Sequence, residues 1–148
     1  MKKANAIYDI PCKNCEKSYR GETGRALHIR TTEHEKEFEK FSHISAFTRQ
    51  QKQLIMSDIF KSAAAEHAVK ENHILDLENI KVLEYEADWG LRGIKEAIQI
   101  RSNEKSMNRE GGERYELSHI WNSVLARSKE KKNKISGGRG HGRIRSSR

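Results

Sequence analysis

The sequence predicts an α+β fold: a three-stranded, mainly antiparallel sheet flanked by helices, with a basic disordered tail after it. Three observations carry this. Two short tyrosine-bearing runs flank Cys12-Lys13-Asn14-Cys15, a connection short and polar enough to close a hairpin. Ile80 to Tyr85 alternates as a third strand does. Elsewhere apolar residues recur at helical spacing.

Taken in order, Ile7, Tyr8 and Ile10 favour a first strand, and Pro11 fixes the chain just after it. Ser18 to Arg20 pairs back. After Gly21 and Gly24, Leu27 to Phe41 reads as a helix, with Leu27, His34, Phe38 and Phe41 on one stripe. Arg30 lies four residues before His34, so both reach one edge of that helix and point toward the hairpin. A second helix is expected over Arg49 to Phe60, and Ser62 caps a short one that carries His67 and exits at Asn72-His73. Asp88 caps a helix from Trp89 to about Arg101, with Leu91, Ile94 and Ile98 as its buried stripe. Ser102 to Gly112 reads as loop, and Leu117 to Leu125 as a last helix.

Composition bounds the rest. With 148 residues, 34% of them hydrophobic and 34% charged, a single domain over residues 1–126 has a modest core that a metal clip would help. No apolar run approaches the ~20 residues of a membrane span, and Met1-Lys2-Lys3 is not followed by the apolar segment of a secretory signal. The expectation is an intracellular protein with no membrane partner. The net charge of +8 is almost all in the tail, residues 127–148, where nine Lys or Arg face Glu130 alone. Within the balanced remainder, the first 32 residues hold seven basic and three acidic side chains, which gathers positive charge around the hairpin.

Cys12 and Cys15 have the spacing of a zinc knuckle, and His67 with His73 supplies the second half of a Cys2His2 set. The long gap between the halves predicts a structural zinc that staples the hairpin to a later helix. His28 and His43 are alternative ligands.

Ala6-Ile7-Tyr8 followed by Tyr19-Arg20-Gly21, with a Cys pair between them, resembles the paired tripeptides of GIY-YIG endonucleases in the form carried by Penelope-like retroelements. Arg30, His34, Ala64-Ala65-Glu66-His67, Trp89, Ile94-Lys95-Glu96-Ala97, Asn108-Arg109 and Leu117-Ser118-His119-Ile120-Trp121 follow in that family's order, and the resemblance covers roughly residues 5 to 126. Ala6 stands where the family usually has Gly, and Arg20 where it usually has Ile. The segment Glu35 to Lys61 is longer than the family's usual spacer.

The resemblance implies a small GIY-YIG domain that nicks DNA. Tyr8 inherits the general-base role, and Tyr19 orients water and phosphate. A phenol with a pKa near ~10 needs cationic neighbours for this, which Arg20, Arg25 and Arg30 are expected to supply. Arg30 would grip the scissile phosphate with its planar fork, while His34 donates to the phosphate or relays a proton. Glu96 matches the single metal-binding carboxylate, holding Mg2+ together with substrate phosphate, and Asn108 supports that site.

Gly137-Gly138-Arg139-Gly140 and Gly142-Arg143 resemble arginine-glycine segments that follow phosphates of DNA or RNA, and Lys129 to Lys134 read as a nuclear-targeting run. The rival reading is a catalytically inactive, zinc-stapled module that only binds nucleic acid. A small basic protein of a ribonucleoprotein is a third, and it needs none of the site residues to converge.

Overall fold

The computed structural model describes residues 4–41, 48, 50, 60–111 and 114–136, with side chains of the last helix as far as Ser128. The order is β1 (Ala6–Pro11), β2 (Ser18–Thr23), α1 (Leu27–Phe41), α2 (Ala63–Glu71), a 3-10 turn (Leu77–Asn79), β3 (Lys81–Tyr85), α3 (Trp89–Ser102) and α4 (Ile120–Ser136). The chain divides into two compact units, Met1–Glu116 and Leu117–Arg148. The helix expected over Arg49 to Phe60 falls almost wholly outside the described residues.

In the first unit the expected α+β architecture is present. The sheet order is β2-β1-β3, and β1 pairs antiparallel with both neighbours. The hairpin register sets Tyr8 opposite Gly21, Asp9 opposite Arg20 and Ile10 opposite Tyr19. Because alternate residues point to opposite faces, Tyr8, Ile10 and Tyr19 share one face while Ile7, Asp9 and Arg20 share the other.

The first face carries the core. Tyr8, Ile10, Cys12, Ala64, Leu75 and Met107 are buried together, with Leu27, Phe38, Ala68 and Leu77 packed against them. Ser62 caps α2 by accepting from Ala65 N–H, and Asn72 ends it in the left-handed region at φ 55°. Asn tolerates that conformation better than other non-glycine residues.

The second face meets α3, whose buried residues are Arg92, Gly93, Ala97 and Ile100. The expected stripe of Leu91, Ile94 and Ile98 is therefore rotated. Leu91 and Ile94 are exposed, because Arg92 turns inward to pair with Glu22 and to donate to the carbonyl oxygen of Glu86. Tyr115 lies on Gly93, where an added Cβ would sit 2.6 Å from its ring.

The outer edge of β2 is covered by the 105–108 segment. Ser18 N–H donates to Lys105 O, Met107 N–H donates to Ser18 O, and Ser18 bridges Ser106 in parallel.

In the second unit α4 runs from Ile120 to Ser136, past Arg127, where the sequence reading begins a disordered tail. The stretch past Arg127 is rich in Lys, a good helix former, so its low apolar content does not prevent a helix. Residues 137–148 lie outside the described residues. Among the described residues no helix is long and apolar enough to cross a membrane.

Candidate active site and metal centre

Two sites grow from the opening hairpin, one on its strands and one at its turn. On the strands, Tyr8 is 1% exposed, and its hydroxyl lies between two groups of α1. Arg30 Nε donates to Tyr8 Oη at 3.2 Å, and His34 Nε2 lies 3.1 Å from the same oxygen. The i, i+4 spacing on α1 thus brings both side chains to one atom, as the sequence predicts. Tyr19 completes the group, with ring centroids 6.5 Å from Tyr8 and 5.6 Å from His34. Tyr19 is the less buried of the two tyrosines.

Donor and acceptor balance orders this cluster. Arg30 has hydrogens only to give, so it occupies an acceptor position on Tyr8 and leaves the phenolic hydrogen to point at His34. Nε2 of His34 is then the acceptor and Nδ1 carries the proton. Among the described residues Nδ1 has no partner. His34 is pushed down to about 4, first by burial and then by the Arg30 cation, so it is neutral at neutral pH and free to accept.

His34 is itself 1% exposed.

Tyr8 is shifted well above the ordinary tyrosine value, chiefly by burial, with Tyr19 adding to the rise and Arg30 opposing it. Tyr19 is raised by burial too. The expected cationic field thus reduces to Arg30, and it does not favour the phenolate as expected, because burial outweighs it at both tyrosines. Arg20 lies on the other face, where Nε donates to Asp9 at 3.1 Å and Nη1 donates to Gln99 O. Arg25 is tied to Glu33 at 2.7 Å. That geometry also explains how Arg20 occupies a position expected to be apolar: Asp9 sits directly across the hairpin and compensates its charge.

Glu96, half-buried on α3, is close enough for its carboxylate to raise both tyrosines. Asn108 does not join it. Its amide is spent on β2, with Oδ1 accepting from Arg20 N–H at 3.0 Å and Nδ2 donating to Arg20 O at 2.7 Å. It fixes the strand that carries Tyr19.

One residue that residue typing alone passes over is Gly21. A Cβ there would meet Tyr8 Oη at 2.8 Å, Tyr8 Cζ at 2.9 Å and Tyr19 Cε1 at 3.1 Å. The bare backbone leaves the slot across which the Tyr8 ring lies. The signal was available, since a hairpin register pairing Tyr8 with Gly21 sets a large ring against no side chain.

At the turn, Cys12, Cys15, His67 and His73 place one donor atom each within 4.8 Å of all the others. Cys12 Sγ lies 3.6 Å from His73 Nδ1, Cys15 Sγ 3.5 Å from His67 Nε2, and the two nitrogens are 3.2 Å apart. A tetrahedral zinc with bonds of ~2.3 Å to sulfur and ~2.0 Å to nitrogen separates S and N donors by about 3.5 Å and two nitrogens by about 3.3 Å. The set fits a metal such as zinc. Of the alternative ligands, His28 is not in this cluster and His43 lies outside the described residues.

Local structure explains the convergence. Asn72 in its left-handed conformation reverses the chain, so His73 N–H returns to Ala68 O at 2.9 Å and its ring faces His67 on α2. The turn is then clasped to residues 73–76. Lys13 N–H donates to Ile74 O, Asp76 N–H to Pro11 O, and Ile74 N–H to Asn14 Oδ1. Asn14 N–H points at Cys12 Sγ, 3.4 Å away, and stabilises negative charge on that sulfur. Burial pushes the Cys12 thiol up, and a coordinated dication would hold it as thiolate. Burial and His73 push His67 down, toward the neutral form a metal needs.

No protein-family model matches the chain, and neither a curated protein nor a solved structure matches it.

Proposed function

We propose that this chain is a metal-dependent DNA endonuclease of GIY-YIG type, derived from a Penelope-like retroelement. One observation carries the reading: Arg30 and His34 of α1 meet on the hydroxyl of Tyr8 from β1, beside the ring of Tyr19 from β2. In this reading the outer nitrogens of Arg30 grip the phosphate while Nε stays on Tyr8, and water takes the remaining acceptor position of the Tyr8 oxygen. Tyr8 takes a proton from the attacking water as its own passes to His34 Nε2, while Tyr19 holds the water and phosphate in line. Glu96 supplies an oxygen ligand of the kind magnesium takes while keeping waters and substrate phosphate in its other positions. When bound there, the ion stabilises charge on the departing oxygen.

The Cys2His2 set serves as a structural zinc staple, and the basic C-terminal segment adds contacts to DNA or RNA phosphates and a nuclear-targeting run. Supercoiled plasmid should be nicked with magnesium, and Arg30→Ala and Glu96→Ala should each abolish this while leaving the fold intact by circular dichroism. Duplex binding with a steep salt dependence, but no cleavage with any divalent metal, would replace the enzyme with the inactive nucleic-acid-binding module.

A further inference from the structure

Just outside the Tyr8 cluster, two guanidinium groups meet on one carboxylate. Arg30 Nη1 donates to Glu33 Oε2 at 2.9 Å, and Arg25 Nη2 reaches the same oxygen at 3.0 Å and Oε1 at 2.7 Å. The Arg30 fork is thus divided, with Nε on Tyr8 and Nη1 on Glu33. A carboxylate held this way presents two oxygens in the pattern that two oxygens of a phosphodiester present to a guanidinium. The side chain of Arg25 is 60% exposed and that of Glu33 36%, so both can swing aside, while Arg30 is anchored beneath them. Glu33 stays ionised, held below its ordinary value first by Arg30 and also by Arg25.

We propose that Arg25 and Arg30 form a two-pronged clamp for a backbone phosphate, and that Glu33 occupies it as an internal stand-in until nucleic acid displaces it. This deepens the nuclease reading and rests on it for the identity of the phosphate. It adds Arg25 as a binding residue and makes Glu33 a competitor of substrate. Nε and Nη1 belong to one guanidinium, so a phosphate in place of the Glu33 carboxylate lies one fork away from Tyr8. Carboxylate and phosphate cannot share the clamp, and binding must release the Arg25–Glu33 pair.

The test uses the full chain and a fluorescent DNA duplex, with affinity measured by anisotropy across a salt series for wild type, Glu33→Gln, Arg25→Gln and the double variant. Glu33→Gln should bind roughly three- to tenfold more tightly, with a steeper salt slope by about one phosphate contact. Arg25→Gln should bind more weakly, and the double variant should lose the gain. Equal or weaker binding by Glu33→Gln overturns the clamp, since a carboxylate that merely orients Arg30 would give that result. As a second readout, titrating wild type with inorganic phosphate should shift the NMR Nε–Hε signals of both arginines, and a response confined to Arg30 overturns the proposal. Tighter binding by Glu33→Gln in a protein that never cuts DNA would fail the nuclease reading and leave the clamp standing.

Discussion

Gly21→Ala tests the site through the sign of its effect on stability. Gly21 has no positive φ, so alanine fits its backbone, and at a site with room the change would stabilise by about 0.4–1 kcal/mol by restricting the unfolded chain. Here the new methyl would meet Tyr8 Oη at 2.8 Å and Cζ at 2.9 Å, and reaching ordinary contact requires the ring to move by about 0.6 Å. The hydroxyl is held at 3.2 Å by Arg30 and 3.1 Å by His34, so a shift of that size disturbs the geometry of both bonds. Overpacking costs about 1–3 kcal/mol, which set against the chain-entropy gain leaves a net loss of up to about 2.6 kcal/mol. Denaturant unfolding at pH 7 reads the difference directly. On the proposed nuclease reading, nicking should also fall by about 10²-fold, as expected for misplacing a reacting group by a fraction of an ångström. An alanine variant as stable as wild type, or more so, would show that the Tyr8 ring is not pinned across β2.

Three further outcomes are expected. Purified protein should carry one zinc per chain by elemental analysis, and a strong chelator or Cys12→Ser should lower the unfolding midpoint sharply, since structural zinc binding is worth on the order of 10 kcal/mol; a metal-free protein with unchanged stability would exclude the staple. His34 titrates near about 4 when folded and near ~6.5 when unfolded, so its contribution is complete above ~6.5 and is lost as pH falls toward 4. Subtracting the pH–stability curve of His34→Gln from that of wild type, which cancels the zinc ligands, should reveal a rise between those values of about 3 kcal/mol at most; a flat difference refutes the buried neutral imidazole. Arg20→Ile removes the counter-charge of Asp9 and leaves it the Ser18 hydroxyl as a donor, which should cost about 1–3 kcal/mol, with Asp9→Asn recovering part of it in the double variant; additive losses would show that the pair is not coupled.

Much of this arrangement is legible in the sequence because it rests on local periodicity. The hairpin follows from alternation around a short polar connection, and the meeting of Arg30 and His34 follows from one helical turn. The metal set follows from CxxC and the spacing of His67 and His73, although only the fold shows that Asn72 reverses the chain to join them. What depends on tertiary pairing is less legible. Arg92 is buried against Glu22, seventy residues away in sequence, and this turns the expected stripe of Leu91 and Ile94 outward. Asn108 has the right residue type for a site ligand, but both ends of its amide serve the Arg20 peptide. Residue type alone does not distinguish a side chain that holds substrate from one that holds the strand beneath it.

The clasp at the hairpin turn has a consequence for how this chain tolerates change. Cys12 and His73 are 61 residues apart and Cys15 and His67 are 52 apart, so a metal joining them closes one large loop, within which α1 also packs on α2. Reopening so large a loop returns much of the chain entropy that closure removed, so loss of any one ligand should loosen the hairpin turn and α2 together. Substitutions at the four ligand positions should therefore be among the least tolerated.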